Sequence, residues 1–185
     1  MSDASGTTAP TAASRRGTAH EPRRVAILSG PAYRVTGTPE RVTPELAAEL
    51  ARVLERFAEE CGFDAARPAA IEFRPGVVGH HRVGRAADIY GVCGAGMDRW
   101  KSRWDEALAE AAELPAHMAP RRLERERQRN LGWRLYNALQ RLGRWSRPAG
   151  YPTQLFGPWT RSDGPWVHIS DRLLRAHRDH IHVAK

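Results

Sequence analysis

His81-Arg-Val-Gly-Arg-Ala-Ala-Asp88 in mid-chain and Asp179-His180-Ile181-His182 near the C-terminal end decide how this chain is read. Together they bring imidazoles and carboxylates from two separate segments, the composition of a split zinc site. A zinc ion held by three protein groups keeps its fourth position for water and lowers that water's pKa to roughly 7. The chain is therefore expected to be a hydrolase. In a strand, side chains at i and i+2 share a face, so His180 and His182 should point one way while Ile181 and Val183 enter the core. His81 and Asp88 stand seven residues apart, which neither a helix face nor one regular strand brings together. A turn is required between them, and Gly84 supplies it. Ala86 and Ala87 keep the approach to Asp88 narrow.

Outward from these motifs, residues 86–92 read as the strand that carries Asp88, and residues 70–74 as a strand ended by Pro75-Gly76. Thr43-Pro44-Glu45 gives an N-cap, a first-turn proline and a first-turn acid. Leu46, Leu50, Val53, Leu54, Phe57 and Cys61 then recur at helical spacing until Gly62. Val25 to Leu28 is a short apolar run closed by Ser29-Gly-Pro31, a buried strand or an anchoring segment. Asp98 can cap a helix running to about Glu113, with Trp100, Trp104, Ala107, Leu108 and Ala111 on one face, before Pro115 interrupts. From Pro120 one longer helix is expected, charged at first and apolar only from Leu131 through Leu135, Ala138, Leu139 and Leu142. Residues 148–166, rich in Gly, Pro and aromatics, suit a loop wall with Gln154-Leu-Phe156 as a short strand inside it. Trp159 and Trp166 could line a cleft there or close the loop as buried aromatics. Ser170 caps a short helix to about His177.

The chain has 185 residues, enough for one domain with a sizeable core. Residues 1–23, rich in Ser, Thr, Ala and Gly, read as a disordered leader, and 24–185 as a single domain. The formal charge of +8 rests on arginine, since Lys101 and Lys185 are the only lysines. Such a surface can meet nucleic acid or an anionic cell wall, or can be a merely solvated one. The run from Arg121 to Arg129 mixes signs and favours the solvated reading, so nucleic acid is disfavoured as partner. No stretch approaches the roughly 18 apolar residues of a membrane span, and no secretory signal is visible. Cys61 and Cys93 form no Cys-x-x-Cys motif and are expected in buried apolar roles.

His81-x-x-Gly84-x-Ala86-x-Asp88 resembles the signature of the D-alanyl-D-alanine carboxypeptidase and L-alanyl-D-glutamate endopeptidase families. His177-Arg-Asp179-His180-Ile-His182-Val183 is similar to the C-terminal element of the penicillin-insensitive murein endopeptidases, in the same clan as lysostaphin and the Hedgehog signalling domain. The resemblance covers Arg74 to Asp88 and the last nine residues, in the family's order. It implies an α+β fold of the Hedgehog/D-Ala-D-Ala peptidase type, a small and mostly antiparallel sheet covered by helices. It also implies one zinc ion held by His81, Asp88 and His182. His80 adjoins His81 and could compete as ligand, but the Gly84/Ala86/Asp88 frame selects His81. Gly79 stands where the carboxypeptidase pattern often has Ser, so a hydroxyl that could bond an outer-shell group is missing.

Two conventions of the clan place the general base differently, at Asp179 or at His180, and both remain candidates. Arg74 resembles an upstream arginine that anchors substrate; a guanidinium can grip a carboxylate or stabilise an oxyanion. It is a candidate for catalysis and for substrate binding, against the alternative of an edge-strand arginine in water. His177 can bind substrate or orient a carboxylate, or be an ordinary histidine closing a helix. The implied activity is zinc-dependent hydrolysis of amide bonds in peptidoglycan peptides, as a D-Ala-type endopeptidase or carboxypeptidase. Without a signal, cytoplasmic synthesis followed by lysis or a dedicated route would carry it to the wall. The rivals are a non-catalytic zinc-bearing binding domain on the same scaffold and a basic nucleic-acid-binding module.

Overall fold

The Thr43 side chain accepts a hydrogen bond from the Leu46 N–H at 3.4 Å, and Pro44 occupies the first turn, where a missing N–H costs nothing. The helix so started, α1 (Pro44–Glu60), buries Leu46, Leu50, Val53, Leu54 and Phe57. It ends through Cys61 at Gly62, whose φ of 79° suits glycine. The computed structural model to which these residues belong describes positions 23–77, 79–93, 108–145, 154–160 and 170–185.

Among the described residues, β1 (Tyr33–Gly37), β2 (Ala69–Arg74), β3 (Ala86–Cys93), β4 (Leu155–Phe156) and β5 (Ile181–Ala184) form one mixed sheet. Its order is β1-β2-β3-β5-β4; β1 and β2 are parallel and the other neighbours antiparallel. The molecule is thus α+β, with a mainly antiparallel sheet and helices. On the core face Ile71, Phe73, Ile89, Val92, Ile181 and Val183 pack with the buried side of α1 and with Leu135 and Leu139 of α3 (Leu131–Leu142). Ile89 and Val92 are three apart, which simple alternation would send to opposite faces. A bulge reconciles them: Phe73 pairs with Ile89 but Glu72 with Gly91, so Tyr90 is the extra residue and the alternation restarts beyond it.

Several expectations change. The long helix expected from Pro120 is two, α2 (Ala119–Arg129) and α3, separated at Asn130. Asn130 takes an extended backbone, and its side-chain oxygen accepts the Trp133 N–H at 3.1 Å, so it caps α3 instead of continuing α2. Val25 makes only an isolated bridge to Val42, and of this run Ile27 is buried while Leu28 is exposed. The segment anchors rather than forming a strand of the sheet. Residues 108–113 are helical, with Ala111 buried but Leu108 largely exposed. Both cysteines are partly, not fully, buried. Ser170 caps α4 (Asp171–Ala176) by accepting the Leu173 N–H. The leader up to residue 22, the Asp98 cap with Trp100, Trp104 and Ala107, the start of the Pro148 loop and Trp166 lie outside the described residues. No helix among the described residues is long and apolar enough to cross a membrane.

Candidate metal centre

Gly84 turns the chain with a φ of 69° between a short 3-10 helix (Gly79–Val83) and β3. The turn is held from both sides. Gly84 N–H donates to His81 O at 2.9 Å and Arg85 N–H to His80 O at 2.9 Å, while Gly84 O accepts the Thr43 N–H at 2.7 Å. His81 therefore folds back over the start of β3, where Asp88 stands. In the sheet register Asp88 lies opposite His182 of β5 on one side and Arg74 of β2 on the other, and His182 lies opposite Phe156 of β4. Arg74, Asp88, His182 and Phe156 make a row across the sheet, and residues paired in this way share a face. That face is the one turned away from Ile89 and Ile181.

His81, Asp88 and His182 are all buried, and their ligand atoms lie within 4.8 Å of one another. His81 Nε2 is 3.2 Å from His182 Nδ1 and 3.4 Å from Asp88 Oδ2, and His182 Nδ1 is 2.8 Å from Asp88 Oδ1. Tetrahedral geometry with bonds of about 2.0–2.1 Å sets donor atoms about 3.3 Å apart. The closest approaches, which use both oxygens of Asp88, are near that separation, and two imidazoles with a carboxylate are a donor set that holds a divalent metal. The group can therefore bind a metal ion. His80, the competing histidine, is outside it.

Glu40, from the loop between β1 and α1, accepts a hydrogen bond from His81 Nδ1–H at 2.5 Å and from the Gly76 N–H at 3.5 Å. A carboxylate on Nδ1 fixes the tautomer that presents Nε2 to the centre. Gly76 itself lies against the His81 ring, so that a Cβ there would overlap the imidazole. With no metal, burial lowers the His81 pKa, but the hydrogen bonds to Asp88 and Glu40 outweigh it and raise it to about 9. Burial pulls Asp88 upward, and the bonds from His182 and His81 more than reverse this, holding it well below the usual carboxylate range. His182, more deeply buried and facing His81 and His180, is shifted down despite Asp88. The metal-free centre thus keeps its proton on His81, the imidazole backed by a second carboxylate.

His180 precedes β5 by one residue, so the expected strand is shorter than its sequence pattern, yet Nε2 still comes within 3.6 Å of Asp88 Oδ1. Its Nδ1 meets Asp179 Oδ1 at 2.9 Å. Asp179 stands behind the imidazole, on the side away from Asp88. The His180 ring stacks on Tyr90, with centroids 4.8 Å apart. Arg74 is exposed at the rim, donates from Nε to Glu72 at 2.9 Å, and lies over the Tyr90 ring. His177 closes the site from α4: its Nδ1 must carry the proton it donates to the Leu173 carbonyl at 2.8 Å, which leaves Nε2 as an acceptor. Burial, with the charges of His182 and His180, lowers its pKa to about 4, so it is neutral near pH 7. Its ring lies 5.0 Å from His180, 5.1 Å from His182 and 5.2 Å from Phe156.

The expected residues His81, Asp88, His182, His180, Asp179 and His177 thus come together, with Arg74 at the edge. Trp159 is half-buried and packs on the core beside Tyr136, with ring centroids 5.7 Å apart. Within α2, Arg122 is tied to Glu110 at 2.7 Å and to Glu126 at 3.5 Å. Sequence reasoning missed Glu40 and Tyr90. Tyr90 was accessible, because it is two residues beyond Asp88 on the same strand; Glu40 lies in a loop whose sequence carries no metal pattern. No protein-family model matches the chain, and no curated protein or solved structure does.

Proposed function

We propose that the protein is a zinc metallopeptidase of the Hedgehog/D-Ala-D-Ala peptidase type, hydrolysing amide bonds in the peptide part of peptidoglycan. The observation that supports it most is His180, whose Nε2 faces the His81/Asp88/His182 group while Asp179 holds its Nδ1. A metal triad needs only its ligands; an imidazole backed by a carboxylate and aimed into it is what a general acid–base adds. Zinc, when bound, supplies Lewis acidity that polarises a scissile carbonyl and makes a bound water acidic.

In this reading His180 accepts the water's proton at Nε2, and Asp179 stabilises the resulting imidazolium through Nδ1. The same Nε2 returns the proton to the departing amine. His177, neutral and presenting Nε2, accepts a hydrogen bond from a substrate N–H. Arg74 at the rim offers its guanidinium to a substrate carboxylate, which peptidoglycan stem peptides carry. Phe156 and Tyr90 give the floor and wall that shield the proton transfer from bulk water. The choice between Asp179 and His180 as base falls on His180, because it stands between Asp179 and Asp88.

Mass spectrometry of peptidoglycan fragments after incubation with zinc-loaded protein tests the reading, run beside His182→Ala and His180→Ala. New peptides released by the wild type alone, with a loss of roughly 10²-fold or more in His180→Ala, are the expected result. Absence of release from protein that holds zinc would reject the peptidoglycan peptidase.

A further inference from the structure

Tyr90 is the bulge residue of β3 and has no partner across the ladder with β2. Bulges re-aim the side chain they carry. Here the phenol ring lies nearly parallel to His180, at 16° between planes and 4.8 Å between centroids. The guanidinium carbon of Arg74 is 4.7 Å from the centre of the same ring, and the arginine is itself held by Glu72 on its own strand. His180 stands outside the regular backbone of β5, which begins at Ile181. Its hydrogen bond to Asp179 fixes Nδ1 but does not by itself set the plane of the ring. A flat neighbour lying parallel to the ring constrains that plane.

We propose that Tyr90, capped by Arg74, is a positioning residue that sets the ring plane of His180 and so the aim of Nε2 at the centre. The role belongs to the aromatic face, not to the hydroxyl. It also gives Arg74 a function separate from anchoring substrate: the cation holds the Tyr90 ring against His180 by lying over it. The functional consequence rests on the peptidase reading; the geometric one does not.

The test compares Tyr90→Leu and Tyr90→Phe in the full chain by two readouts. The first is the imidazole proton resonances of His180, assigned against His180→Gln. Stacking displaces them upfield, so the displacement should survive in Tyr90→Phe and vanish in Tyr90→Leu. The second is turnover of a peptidoglycan peptide by zinc-loaded protein. Tyr90→Leu should lose about 10-fold to 10²-fold in kcat with KM and zinc content unchanged, and Tyr90→Phe should restore most of it. Resonances of His180 that do not move in Tyr90→Leu would overturn the proposal. Equal kcat losses in both variants would do so as well, because the hydroxyl would then be the active part. A wild type that hydrolyses nothing rejects the peptidase reading, while the resonances still decide the positioning.

Discussion

Glu40 governs His81 without touching the metal position, and its loss should be felt as affinity. Glu40→Ala removes the acceptor that fixes the Nδ1–H tautomer and leaves a buried donor unpaired, so zinc affinity should fall about 10-fold to 10²-fold with the fold retained. Competition with a chelating dye measures this; an unchanged affinity would show that Glu40 is incidental. The proton on His81 gives a second expectation. Its folded pKa is raised from 6.5 to about 9, so the stability it lends the metal-free protein is fully present below about pH 6.5 and lost as pH rises through about 9. A metal must displace that proton, so apparent zinc affinity should weaken about tenfold per pH unit as pH falls below about 9. Asp88 has the opposite sign: its depressed pKa lends stability above the ordinary carboxylate value, lost as pH falls through the lower folded one. Thermal melts of metal-free protein across pH, set beside the dye titration, check both signs together.

At the scale of elements, Gly84 couples the two halves of the first motif. Alanine there meets a positive φ and would place its Cβ 3.1 Å from the Arg41 carbonyl oxygen and 3.3 Å from Val42 Cα. Gly84→Ala should cost about 1–2 kcal/mol and displace His81, lowering zinc affinity more than a remote substitution of equal cost. Denaturant unfolding paired with zinc titration separates the two effects. Asn130→Ala should cost about 1 kcal/mol in the same unfolding measurement, because α3 loses its cap. The helix start at Thr43 and the strand β2 were legible because local rules suffice: a capping oxygen, a proline at the first turn, and the Pro75-Gly76 stop after Arg74. The break at Asn130 was not, since a charged helix and an apolar helix in tandem read as one continuous period. Only the backbone at the junction reveals two. The bulge at Tyr90 was hidden for a related reason, because a pattern of two assumes an unbroken ladder and the extra residue belongs to a pairing with β2.

For the whole molecule, the sheet brings motifs separated by most of the domain into adjacent strands. β3 pairs with β5 so that Asp88 and His182 face each other, and the apolar residues between them bind the same strands to α1 and α3. The convergence of those motifs was legible in the sequence as chemistry, through residue types and spacing; Glu40 was not, because it reaches His81 from a loop that carries no metal pattern. The parallel pairing of β1 with β2 likewise has no local signature.

His81, Asp88 and His182 can act as one metal centre, and the function proposed for the protein stands or falls with it. Zinc content by elemental analysis after loading and gel filtration tests it directly, for the wild type and for His81→Ala, Asp88→Ala and His182→Ala, each shown to be folded by circular dichroism. One zinc per wild-type chain and loss of the ion in every variant are the expected result. A folded wild type that retains no zinc, or variants that keep as much as the wild type, would contradict it.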